Sequence, residues 1–196
     1  GGSVAIIEAA QQSGQRATGE ASPHHLLLTD EACKTLGTMA KMNPPLRTKK
    51  DIEAIKDGIK RNVITILATD HAPHPQETKD RPFPDASFGI VGIECALALY
   101  VRALIDDDTI DWPQMLAMMT SNPANLIGRS DLGRLEIGGK ADITVINPQE
   151  KWTINATEFL SPARNCPFDG WNVHGKAVLT MLGGKITHTQ IKTTSC

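Results

Sequence analysis

The run from Val63 to His74, reading V-I-T-I-L-A-T-D-H-A-P-H, constrains the fold more than any other stretch of this chain. Its first half, Val63 to Leu67, is β-branched and apolar with no charge. That pattern fits a strand buried on both faces, as in a parallel sheet. Its second half turns polar at once, with Thr69, Asp70, His71 and then His74 beyond Pro73. A buried strand ending in a carboxylate and two imidazoles carries metal-binding and proton-transfer groups at its C-terminal edge, where α/β barrels place their active sites. The same residues also suit a plain turn, capped by Asp70 and flanked by solvated histidines. The surrounding chain has to separate the two readings.

What precedes the strand alternates helix and strand. Ser3 reads as the N-cap of a helix from Val4 to about Gln12, with Val4, Ile7 and Ala10 on one face and Gly14 as its stop. Weak strand character over 15–22 leads into an extended Pro23-His24-His25-Leu26-Leu27-Leu28. A short helix is expected from about Asp30 to Leu36, with acidic residues at its positive end. The paired prolines of Lys41-Met42-Asn43-Pro44-Pro45-Leu46-Arg47 require an extended course. Thr48 and Asp51 resemble a capping box for a helix whose stripe is Ile52, Ile55 and Ile59. That helix feeds the Val63 strand, and the alternation predicts a parallel α/β sheet.

Beyond His74, the polar and proline-containing segment 75–86 reads as a long functional loop. It closes on Ser87-Phe88-Gly89-Ile90-Val91-Gly92, where glycines permit a close backbone approach. Helices are expected from about Ile93 to Ile105 and from about Gln114 to Met119, with a short one after Pro123. Met115, Met118 and Met119 read as core filling. From Gly133 the texture changes to short β-runs between glycine turns: 133–139, 141–146, then 177–182 and 185–187 joined by Gly183-Gly184 as a hairpin. We therefore expect two units, a partial barrel domain over 1–130 and a small β-module over 131–196.

Composition excludes several function classes. A formal net charge of -2 in 196 residues leaves no basic footprint for nucleic acid or an anionic membrane surface. No apolar run is long enough to span a bilayer, and the N-terminus has no basic leader. Cys33, Cys95, Cys166 and Cys196 are scattered without a C-x-x-C, so neither a disulfide framework nor a thiolate metal site is expected, and a reducing, cytoplasmic setting is the simpler reading. The chain has no initiator Met and begins within an expected helix, which leads us to expect a piece of a longer protein.

Several motifs occur together in one order: P-H-H-L-L-L-T (23–29), K-M-N-P-P-L-R (41–47), A-T-D-H-A-P-H (68–74), F-G-I-V-G (88–92), S-N-P-A-N-L-I-G (121–128) and G-R-L-E-I-G-G-K-A-D-I-T-V-I (133–146). With Asn165-Cys166-Pro167-Phe168 near the end, the set resembles the dihydroorotases of the amidohydrolase superfamily. The resemblance implies an α/β fold: the C-terminal part of a metal-dependent (β/α)8 TIM barrel, its last two strands and their helices, plus a β-module. It implies zinc-dependent, reversible interconversion of dihydroorotate and N-carbamoyl-L-aspartate in pyrimidine synthesis, with a possible homo-oligomer or an aspartate transcarbamoylase partner. It places Asp70 as zinc ligand and proton shuttle, and Asn43, His74 and the Phe88-Gly89 backbone as the groups that hold the ring and its carboxylate.

Other residues fall outside that assignment. His24 and His25, if extended, point to opposite faces, so at most one faces the site, as a supporting imidazole more readily than as a ligand. Glu20 stands on the polar side of the same strand. His174 and His188 read as surface residues, and Cys33 and Cys95 as small core hydrophobes. The family's H-x-H pair and its other metal ligands are absent, and one carboxylate does not make a catalytic zinc site. Two alternatives remain open: another cyclic-amide hydrolase, such as a hydantoinase or allantoinase, and an inactive dihydroorotase-like scaffold for aspartate transcarbamoylase.

Overall fold

Thr48 and Asp51 set the helix on which the first half is built. In the computed structural model, which describes residues 1–191, Thr48 Oγ1 donates to Asp51 Oδ2 at 2.7 Å and its backbone N–H reaches the same carboxylate at 3.3 Å. Cys196 lies outside the described residues.

In chain order, α1 (Gly2–Gln12) starts before the expected Ser3 cap, and no side-chain cap forms there. The Gly1 amine instead bonds Asp51 at 2.6 Å, tying this helix to the Thr48 box. After β1 (Gly19–Ala21), the expected extended segment is a short helix, α2 (Pro23–Leu27). Proline at its first turn is pre-set for helical φ, and Ser22 supplies an extended N-cap backbone. Next come α3 (Ala32–Leu36), a 3₁₀ turn over Gly37–Ala40, and α4 (Lys49–Lys60), whose Ile59 is fully buried. Strand β2 (Ile64–Leu67) then pairs in parallel with β1, Ala21 opposite Leu67. Its Ile64, Ile66 and Leu67 are buried, as the unbroken apolar run predicts.

The expected loop over 75–86 contains a single helical turn, α5 (Gln76–Lys79). Helix α6 (Ala96–Tyr100) starts later than expected and widens into a π-helical turn, Val101–Ile105. Asp111 Oδ1 caps α7 (Trp112–Met119) by accepting from Gln114 N at 2.9 Å, and α8 (Ser121–Leu126) follows. The antiparallel sheet has the order β3 (Ile143–Thr153), β4 (Asn172–Leu182), β5 (Lys185–Thr189), with the Gly183-Gly184 turn where the hairpin was expected. The run 133–139 is not a strand. Gly133 and Gly138 take positive φ and bend it away, leaving Leu135 and Ile137 exposed.

Two buried clusters organise the packing. One gathers β1, β2 and the inner faces of α1, α4, α6 and α7, including the fully buried Met115 and nearly buried Met118. The other joins Leu28, Met42, Ile90, Cys95 and Leu99 to Ile154, Phe168 and Val173 from the C-terminal region. The segment around Asn165 is thus packed directly against the loops that follow β2. No helix among the described residues is long and apolar enough to cross a membrane.

Candidate active site

Tyr100 fixes the ends of the parallel pair. Its buried hydroxyl lies 2.6 Å from Ala68 O and 2.9 Å from Ala21 O, sharing one proton between the last turns of β2 and β1. Burial, and then the charges of Glu20 and Asp70, push its phenol well above the ordinary range, so it stays a neutral donor. Two residues past Ala68 the chain turns at Asp70, whose φ of 48° is left-handed, a conformation Asp tolerates better than most residues. The strand ends there, and the Asp70 side chain stands 43% exposed.

Against that carboxylate stands His24, on α2. It is fully buried, with Nε2 3.4 Å from Asp70 Oδ2. Neither of its ring nitrogens has a hydrogen-bond partner among the described residues. Burial first, and then the neighbouring His25, lower its pKa to about 3, so His24 meets Asp70 as a neutral imidazole. On a helical turn the two histidines are not on opposite faces as an extended segment would put them; their rings are tilted 53° with centroids 4.3 Å apart. His25 Nε2 bonds Pro44 O at 2.8 Å and so braces the segment carrying Asn43. Asn43 itself is exposed, and the Asn43-Pro44 peptide bond is cis. Glu20 is exposed on β1.

His71 is taken out of the reacting set. Its Nδ1 accepts from the N–H groups of Gly92 and Ile93, at 3.2 and 3.3 Å, which fixes the proton on Nε2. The arm 71–74 runs beside 89–91: His71 and Ile90 form a parallel bridge, and Ala72 N donates to Ile90 O at 2.8 Å. The two arms approach closely because Gly89, at φ 98°, has no side chain; a Cβ there would lie 2.5 Å from that of Ala72. Gly92 likewise leaves room for Thr69 O. His74 is half-buried, and Phe88 is 52% exposed. Gly89 uses both of its own backbone groups, N–H to Lys41 O at 2.9 Å and C=O to Lys79 and Asn165. The Phe88 backbone makes no hydrogen bond among the described residues, so of the two it is the one with groups to offer a ligand.

Three further residues frame this site: Lys41 and Asn165, which stand in the motifs but carry no assigned role there, and Lys79, which stands in none. Lys79 is fully buried and donates to Ser87 O and Gly89 O, at 2.9 and 3.1 Å. Lys41 donates to Pro84 O and Ala86 O, at 2.8 and 2.6 Å, and lies 4.4 Å above the Phe88 ring. Together the two ammoniums gather the carbonyls of one loop. Asn165 reaches in from the far end of the chain. A lysine in a charged loop or an asparagine between elements reads as a solvated residue, and it is burial that shows these three to be structural. His174, by contrast, is no free surface residue: it bonds Pro148 O at 2.7 Å and Asp106 at 2.8 Å, contacts that in that order raise its pKa. His188 is exposed, as expected.

The described residues bring no three His, Cys, Asp or Glu side chains together as a metal site. Asp70, with the unpartnered nitrogens of His24 behind it, fits one edge of such a site and not the whole of one.

The model of the amidohydrolase family matches residues 6–187. The chain belongs to the amidohydrolase family. Among curated amidohydrolases, the dihydroorotase of Geobacter metallireducens is 44% identical over 187 residues, covering 95% of this chain and 44% of that protein. The dihydroorotase of Clostridioides difficile is 43% identical over 188 residues, 96% of this chain and 44% of that one. The chain thus spans less than half the length of these relatives. Among solved structures it is similar to the L-hydantoinase (dihydropyrimidinase) of Arthrobacter aurescens, with a TM-score of 0.90 and 27% identity over 96% of this chain and 43% of that one. The dihydropyrimidinase of Brevibacillus agri shares the fold, with a TM-score of 0.88 at 24% identity over 95% of this chain and 42% of that one.

Proposed function

We propose that the complete protein is a cytoplasmic, zinc-dependent dihydroorotase of pyrimidine synthesis, closing N-carbamoyl-L-aspartate to dihydroorotate and reopening it. In this reading β1 and β2 are the seventh and eighth strands of a (β/α)8 barrel, residues 131–196 are its β-module, and the remaining metal ligands lie in other parts of the protein. The observation that carries the reading is the 44% identity to a dihydroorotase over 95% of the chain.

The side chains suit this chemistry. Asp70 would be one zinc ligand, and zinc would supply hydroxide at neutral pH by lowering the pKa of bound water. The Asp70 carboxylate can take the proton released by the nucleophile and return it to the departing ring nitrogen. His24, neutral and buried with Nε2 3.4 Å from Asp70 Oδ2, is placed so that a small shift would let it donate to that oxygen and hold its rotamer. Asn43 offers an amide edge to the ring, His74 a donor for the carboxylate, and Phe88 its free backbone groups. A hydantoinase-like substrate is the second reading, favoured by the likeness to the Arthrobacter enzyme.

The test is Asp70→Asn in the full-length enzyme. The amide keeps the shape but loses the charge and the proton-accepting oxygen. Turnover of dihydroorotate should fall by about 100-fold or more in a folded protein, the lower range for losing acid–base help. Near-normal turnover would remove Asp70 from its role. A wild-type enzyme that opens only uncharged rings would favour the hydantoinase-like reading.

A further inference from the structure

Asn165 lies between β3 and β4, remote in sequence from every residue of the site, yet it is completely buried at the site's rim. Its side chain spends donors and acceptor on two different arms. Nδ2 donates to Ala72 O at 3.1 Å and to Gly89 O at 3.2 Å. Oδ1 accepts from the His74 N–H at 3.2 Å. Its own carbonyl takes Val91 N at 3.0 Å, so the residue is also anchored to the second arm by its backbone. A carboxamide is the smallest group that can donate twice and accept once in a plane. No apolar or acidic residue of that size meets two carbonyls and one amide together.

We propose that Asn165 is a positioning residue: it sets the separation and tilt of the His74 arm against the Phe88-Gly89 arm, and through them the preference of the site for a ring that carries a carboxylate. The substrate class rests on the dihydroorotase reading; the positioning itself does not. The two arms lie side by side, and the Asn165 side chain bridges them. Loosening these bonds would misplace the His74 donor without touching Asp70, which follows the strand and is held by none of them. The effect should therefore fall on substrate capture more than on the chemical step.

The experiment uses the full-length enzyme with Asn165→Leu, which keeps the volume and removes all three bonds, and Asn165→Asp, which keeps the acceptor for His74 N but sets oxygen against two carbonyls. Three things are measured: steady-state kinetics on dihydroorotate and on an uncharged dihydropyrimidine, thermal stability, and amide hydrogen exchange at His74. For Asn165→Leu we expect KM for dihydroorotate to rise about 10- to 100-fold, on the scale of a lost hydrogen bond to a charged group. Its kcat should change by less than about threefold, and use of the uncharged ring should change little. Asn165→Asp should exchange His74 more slowly than the Leu variant does. Both substrates weakened alike, in step with a lowered Tm, would mean a merely structural brace and would overturn the proposal. So would unchanged protection at His74 in Asn165→Leu. If Asn165→Leu fails to fold, the Asp variant decides by the same KM-against-kcat split. A wild-type enzyme inactive on dihydroorotate would sink the substrate reading, and the exchange rates at His74 would still decide the positioning.

Discussion

His24 Nε2 stands 3.4 Å from Asp70 Oδ2, with the imidazole fully buried and the carboxylate 43% open to solvent. The imidazole is neutral, and neither of its nitrogens has a hydrogen-bond partner among the described residues. The pair joins the turn after β1 to the third residue past β2, so one contact ties both strand ends to the Asp70 carboxylate.

That contact predicts the behaviour of His24→Phe in the full-length enzyme. The ring fills the same space but offers Asp70 nothing. The fold should survive, while zinc affinity or turnover drops by about 10- to 100-fold, the usual cost of losing a group that orients a metal ligand. Zinc retention against a chelator and turnover measured together check this. Wild-type values for both would show that His24 is only core.

His74→Ala addresses specificity. A donor to the substrate carboxylate has no counterpart on an uncharged ring. The loss on dihydroorotate should be about 1.5–3 kcal/mol in kcat/KM, the scale of a hydrogen bond to a charged group. An uncharged dihydropyrimidine should be affected much less. Equal losses on both rings would mean that His74 does not read the carboxylate.

Expressed by itself, the 196-residue chain should not turn over dihydroorotate and should bind zinc only weakly, because its described residues bring no three ligands together. Its two-stranded parallel sheet has unpaired edges, and Leu135, Ile137 and Leu160 are exposed, which favours association. Light scattering, zinc titration and an activity assay test this. A monomeric, active chain would contradict the reading that the chemistry needs the rest of the protein.

Lys79 carries a pH signature. Burial first, and the Lys41 ammonium second, lower its pKa from 10.5 to about 8. The folded value lies below the unfolded one, so the unfolded chain holds the proton more tightly. Stability is therefore gained as pH rises from about 8 to 10.5 and is lost on the way down. In Lys79→Met this contribution disappears, and Ser87 O loses its ammonium donor. Denaturant unfolding of the full-length pair at several pH values should show the stability gap, wild type minus variant, widening toward alkaline pH. A gap that is flat or narrows would place Lys79 outside the buried environment described here.

The periodic and local features were legible in the residues. The uncharged 63–67 run predicts a strand buried on both faces, and Thr48 with Asp51 predicts the helix start, because both depend on neighbours within a few positions. The Gly183-Gly184 hairpin and the methionines of α7 follow for the same reason. Local signals misled where two conformations fit one composition. Pro23-His24-His25 reads as extended, yet proline opens a helix as readily, and the helical turn carries His24 under Asp70. The apolar positions of 133–139 suggest a strand, but no partner strand lies beside them among the described residues, and glycines at positive φ bend the chain away.

What the sequence by itself determined is the strand edge of the candidate site: a buried strand, the carboxylate at its end, and the ordered motifs that mark the amidohydrolase family. What only the tertiary structure decided is which polar groups serve that edge. His71 became an acceptor for backbone N–H groups, Gly89 committed both of its own polar groups, and Lys41, Lys79 and Asn165 became the frame of the loop that follows β2. The physical reason is that a polar side chain's role is set by whether it is buried and what it must then satisfy. For Asn165 those partners lie 76 to 93 positions away, beyond the reach of any local pattern.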